Sequence, residues 1–122
     1  MPKSPFQVAA KSIDDHTITT AGDVLVGCCV GYDNLQITTA GATVRGIAKS
    51  NSAAKKDLNI GTNGTVAAKV GAAIAVGAAL ASDASGRLVT ATTGQPIFAR
   101  ALFPASAADE FIEVFITREG KA

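Results

Sequence analysis

From Ala21 onward the chain is a succession of short apolar runs broken by Gly, Asn, Asp and Ser. Val24-Leu25-Val26 and Cys28-Cys29-Val30 read as one buried strand with a glycine at 27. Leu35-Gln36-Ile37-Thr38 and Asp57-Leu58-Asn59-Ile60 alternate apolar with polar, the period of a half-buried strand. Asn63-Gly64 is a strong hairpin signal because both residues tolerate positive φ, and Thr65 to Val70 is the expected returning strand. Further strands are expected in Arg87-Leu88-Val89, Ile97 to Leu102 and Phe111 to Thr117. Strands recurring about every ten residues with turn residues between them predict an all-β domain, a small barrel or sandwich. The Ala-rich stretch Val66 to Ala81 has a rival reading, since alanine favours helix. Gly71 and Gly77 would each cost such a helix about 1 kcal/mol, so strand–turn–strand is preferred, with one short helix within 72–82 as the alternative.

The N-terminal residues have a different texture. Pro2 and Pro5 open a polar segment that runs to Asp14-Asp15-His16, and proline keeps such a segment out of a sheet interior. We read residues 1–20 as an extended arm and 21–122 as a single β domain.

Within that domain the same unit recurs. Gly22 and Leu25 fall over Gly77 and Leu80 at an offset of 55, as does Gly31 over Gly86. Gly41 falls over Gly94, and Val44-Arg45-Gly46-Ile47-Ala48 over Ile97-Phe98-Ala99-Arg100-Ala101, at 53; Leu58-Asn59-Ile60 falls over Ile112-Glu113-Val114 at 54. Two pseudo-repeats, at about 21–66 and 76–118, predict roughly eight strands.

At 122 residues the chain has room for one core. Hydrophobic residues make up 48%, but there are five Phe, one Tyr and no Trp, so the core is built from small side chains. Self-association is a natural way for such a chain to bury more surface. Eleven basic residues against ten acidic ones give a net charge of +1. Only Lys55-Lys56 are adjacent basic residues, and Asp57 follows, which argues against nucleic acid as a partner. The longest apolar stretch, Val70 to Ala81, is well short of the ~20 residues that span a bilayer, and Met1 to Pro5 has no apolar signal core. No membrane partner and synthesis in a cytoplasm are the expectations.

Candidate chemistry is sparse. Adjacent cysteines on a strand point to opposite faces, so Cys28 and Cys29 read as small buried side chains. With the single His16 they fall short of a zinc ligand set. Asp14-Asp15-His16 reads as a solvated turn. No nucleophile–base–orienter arrangement or phosphate loop is present, and the scattered carboxylates other than Glu113 occupy turn positions that acidic residues favour. We therefore expect no enzyme, no cofactor and no metal. Association surfaces are better represented. Phe111 to Ile116 is apolar on both faces, so Phe111 and Phe115 are candidates for a subunit contact, together with Phe98 and Phe103.

The order of these elements carries a resemblance. Ala21-Gly22-Asp23-Val24-Leu25-Val26 with Val44-Arg45-Gly46-Ile47-Ala48, and Ala75 to Leu80 with Asp83 to Val89, resemble the bacteriophage capsid decoration (head cement) protein family. So do Gly94-Gln95-Pro96-Ile97 through Leu102 and Phe111 to Ile116. The likeness spans about 21–117 and rests on glycine, alanine and turn residues. It implies a β-rich homotrimer on the outer surface of the icosahedral virion head, made in the host bacterial cytoplasm, that binds the major capsid protein and stabilises its lattice. It supplies no catalytic residues. The arm, with Pro2, Lys3, Pro5, Phe6 and Val8, is the expected capsid-binding segment. The alternative is a small β adhesion or carbohydrate-binding module of a phage fibre or surface protein, whose sites favour aromatic platforms; with no Trp and one Tyr (Tyr32) this chain is poorly equipped for it.

Overall fold

The computed structural model describes residues 15–122. It is all-β: β1 (Asp15–Thr19), β2 (Cys29–Val30), β3 (Gly46–Ala48), β4 (Asp57–Gly61), β5 (Gly64–Lys69), β6 (Ala79–Ser82), β7 (Leu88–Thr90), β8 (Pro96–Ala101) and β9 (Phe111–Lys121). They form two antiparallel sheets of order β1-β4-β3-β2 and β5-β9-β8-β6-β7, a small β-sandwich.

Each sheet is one repeat. β1 pairs with β4 (Thr19 opposite Asp57) as β5 pairs with β9 (Lys69 opposite Phe111). β4 then pairs with β3 (Ile60 opposite Ala48) as β9 pairs with β8 (Val114 opposite Ala101). The loops obey the same correspondence. Gly27 donates its N–H to Ala48 and Gly77 donates to Ala101, both at 2.8 Å. Val24 exchanges two backbone bonds with Ser52, and Ile74 does so with Ala105.

The offset is therefore 50 at the start of the unit, 53 in its middle and 54 at its end. The later offsets agree with the sequence reading. The 55 drawn from Gly22 is corrected to 50, because Gly27, with φ 80, is the counterpart of Gly77, with φ 82. The 55 drawn from Gly31 is corrected to 52, because Asn34, with φ 62, donates to Gly31 as Gly86, with φ 78, donates to Asp83. The units run over 15–61 and 64–121 rather than 21–66 and 76–118. The expected arm boundary at residue 20 accordingly falls inside the fold, since Asp15–Thr19 form an edge strand.

Of three local expectations one holds and two are corrected. The strand–turn–strand reading of the Ala-rich stretch holds, as β5, a turn and β6. No helix occurs among the described residues: from Gly71 onward the backbone is spent on pairing, with Gly71 donating to Leu88, Ile74 bonded to Ala105, and a turn closed by Ala78 onto Ala75. Alanine's propensity yields to these partners. The run from Val24 to Val30 is not one strand, because Cys28 donates to Leu25 and closes a turn. Asn63-Gly64 does not join a hairpin, although Gly64 takes φ 74. β4 and β5 lie in different sheets, since a turn signal fixes local φ and not which strand becomes the partner.

Two buried clusters follow from the duplication. The smaller holds Ile18, Val24, Val30, Ala48, Leu58 and Ile60. Its counterparts in the second unit, Ala68, Ile74, Leu80, Ala101, Ile112 and Val114, lie in the larger cluster. That cluster also takes in Cys29, Ile37, Val44 and Ile47 from the first unit and so joins the two. At the joint, a Cβ on Gly61 would run into Val66, and one on Gly27 into the Phe111 ring. Arg118 ties the units polarly: its guanidinium donates to the carbonyls of Val44 (3.0 Å), Arg45 (2.7 Å) and Thr62 (3.1 Å).

Candidate interaction surface

The alternation of β9 sends Ile112, Val114 and Ile116 into the core and leaves Phe111, Glu113 and Phe115 outside. Across the ladder, Phe111 stands opposite Lys69, Glu113 opposite Ala67 and Phe115 opposite Thr65 on β5, with Arg100 of β8 opposite Phe115 on the other side. Leu102, whose N–H is bonded to Glu113 O, extends the patch, and Phe103 follows it in the chain. Phe103 is 54% exposed, Phe111 50%, Phe115 47% and Leu102 41%.

The electrostatics around these rings are closed locally. Lys69 Nζ lies 5.9 Å from the Phe111 ring centroid. Arg100 forms a two-point ion pair with Glu119, at 2.8 and 2.7 Å. That pairing, chiefly its hydrogen bonds, holds the Glu119 carboxyl at about 2, well below the usual carboxylate range.

The first unit is the internal control for this surface. By the offsets of 54 and 53, Asp57, Asn59 and Gly61 correspond to Phe111, Glu113 and Phe115, while Lys49 and Ser50 correspond to Leu102 and Phe103. There the outward side chains are polar and self-satisfied: Thr17 donates to Asn59 and Thr19 to Asp57. The aromatic face is therefore a property of the second unit and not of the shared fold.

Of the sequence candidates, Phe111 and Phe115 share the outward face of β9, and Phe103 is exposed in the loop that follows β8. Phe98 is corrected: it is 4% exposed and sits in the core with Arg118 5.0 Å from its ring centroid. The pairing of β8 with β9 shifts register between Ile97 and Ala99, and this bulge lets Phe98 face inward beside Ala99. Pro2, Lys3, Pro5, Phe6 and Val8 lie outside the described residues. Leu102 was missed, although its place over Lys49 at the offset of 53 marks it.

A second concave region of about 660 Å³ lies on the first unit, where Leu25, Leu35, Ile37 and Ala42 meet Asp23, Asp33, Tyr32 and three threonines. Tyr32 is 65% exposed and carries the Arg45 guanidinium 6.0 Å from its centroid. Arg45 is also bound to Asn34 at 2.7 Å.

Reactive groups are turned inward. Cys28 and Cys29 are free and buried, and burial pushes both thiols up, away from the nucleophilic thiolate. Among the described residues no group of His, Cys, Asp and Glu is arranged to hold a metal ion.

With this geometry in place, comparison with known proteins is informative. A model of the phage cement protein family matches residues 8–116. No curated protein matches the chain. Among solved structures, the N base of head fiber gp8.5 in bacteriophage phi29 is similar, with a TM-score of 0.72 and 16% identity. The match covers 88% of this chain and 96% of that one, and at such identity it speaks for the fold.

Proposed function

The chain belongs to the phage cement protein family, and on that premise we propose that it is a non-enzymatic virion protein that binds the outer surface of the icosahedral head and reinforces the major capsid protein lattice. One observation carries the reading: the family match runs from residue 8 to residue 116 and so takes in both units. The fold is suited to the role. Its small-residue sheets are cross-tied by backbone bonds, and its reactive thiols are buried.

In this reading the protein works as a homotrimer, with Pro2, Lys3, Pro5, Phe6 and Val8 contributing the shell contact. Three weak contacts on one particle act as a multivalent clamp, because the second and third engagements are effectively intramolecular. A chain segment can bind in this way by adding a strand to a sheet edge on its target.

The test is co-sedimentation with expanded heads that lack the protein, alongside unexpanded heads. Saturable pelleting with expanded heads supports the reading. Protein that stays in the supernatant with both overturns it. Removing residues 1–14 leaves β1 whole, and in this reading it lowers head occupancy while the folded assembly persists. Undiminished occupancy would take the shell contact away from this segment.

A further inference from the structure

We infer that the outward face of β5, β9 and β8, centred on Phe115 with Phe111, Leu102 and Phe103, is covered in the working protein by a second copy of this chain. The inference rests on the reading above, that the chain acts as an assembly of copies, and names the surface through which it assembles.

The duplication supplies the first argument. In the first unit, the face that holds Asn59 is open at Asp57 but closed at its other end. Ile47 is fully buried in the cluster that joins the units, and Gly61 lies so close to Val66 that no Cβ fits. What closes that end is the second unit. The corresponding positions in the second unit are Arg100 and Phe115, and among the described residues no further unit covers them. A copy of the same chain is the molecule that carries more such units.

Area is the second argument. Three half-exposed phenylalanines and Leu102 leave on the order of 350–400 Å² of apolar surface, given about 200 Å² for a whole aromatic side chain. Soluble monomers rarely leave a contiguous apolar patch of more than a few hundred Å² uncovered. A standard interface buries about 800 Å² per partner, somewhat over half of it apolar. The patch would supply most of that apolar share.

Charge is the third. Lys69 and Glu113 stand on the same face with opposite sign, so two copies can answer each other's charges there. Arg100 is already neutralised by Glu119 at 2.7 Å. A contact between unlike surfaces of two copies closes into a ring when the rotation permits.

The experiment is light scattering after size exclusion, at matched concentrations, on four proteins: wild type, the double variant Phe111→Glu with Phe115→Glu, the single variant Leu102→Glu, and Asn59→Asp on the first unit. Wild type and Asn59→Asp are expected at one fixed multiple of the chain mass. The two apolar-face variants are expected to self-associate at least ten-fold more weakly. Circular dichroism checks each fold. Leu102→Glu, in a loop, keeps the test alive should the double variant not fold.

A mixed light- and heavy-isotope sample treated with a carbodiimide gives an independent reading. Cross-links from Lys69 to Glu113 should join light to heavy chains. A monomeric wild type, folded face variants that assemble undiminished, or cross-links confined within one chain would each overturn the inference. A monomer that still pellets with heads overturns it alone, whereas an assembly that ignores heads overturns the head-binding reading alone.

Discussion

Lys55 and Asp109 hold the same strained backbone in the two units, with φ 62 and 68, and each donates its N–H at 2.8 Å, to Thr20 and to Val70 respectively. Neither is glycine, although the left-handed region costs an ordinary residue about 1–2 kcal/mol. Lys55→Gly should therefore raise stability by about 0.5–1 kcal/mol, after allowing for the greater freedom of glycine in the unfolded chain. Asp109→Gly should gain less, because it also removes the 3.0 Å ion pair with Arg87. Urea midpoints of the two variants check this.

Gly27 and Gly77 share a backbone but not a neighbourhood. A Cβ at Gly77 meets nothing within 4 Å, while one at Gly27 meets the Phe111 ring and the Lys69 backbone. Gly77→Ala should cost only the backbone strain, about 1–2 kcal/mol. Gly27→Ala should cost at least about 1 kcal/mol more, because overpacking against a ring and main chain is added. Equal losses in thermal melts would mean that the two units do not meet at Gly27.

Arg118 spends its guanidinium on three carbonyls of the joint and on the Phe98 ring. Arg118→Ala should cost about 2–4 kcal/mol, since partly buried carbonyls lose a charged donor. Arg118→Lys should recover less than half, because an ammonium cannot present the planar fork. Chemical denaturation of both variants reads the difference.

The Arg100–Glu119 pair predicts a pH dependence. The Glu119 carboxyl is held at about 2 in the folded chain and returns to about 4.3 when unfolded. Its stabilisation is present above the unfolded value and is lost as pH falls through the folded one. Between about pH 4.5 and 2, wild type should thus lose stability more steeply than Glu119→Gln. Parallel slopes would remove the pair from the acid response.

Much of the fold was legible because its markers are sequence-visible. Gly41 and Gly94 both take positive φ, and the triplets Leu58-Asn59-Ile60 and Ile112-Glu113-Val114 both read in–out–in. Those offsets came out of the sequence unaltered. The equivalence of β1 with β5 did not, because Thr17-Ile18-Thr19 and Ala67-Ala68-Lys69 share no residue and only the ladder relates them. The offset of 55 arose because a glycine-rich chain offers several glycines to match, and composition alone does not separate Gly22 from Gly27. At the surface, Phe111 and Phe115 followed from strand alternation. Phe98 did not, because a bulge breaks that alternation where no residue type announces it.

Heads assembled without this protein, filled with DNA and warmed with or without the purified chain, test the central claim most directly. Saturating the shell should raise the temperature at which DNA escapes, and Asn59→Asp should do so as well as wild type. Heads that release DNA at the same temperature whether bare or fully occupied would contradict a reinforcing role.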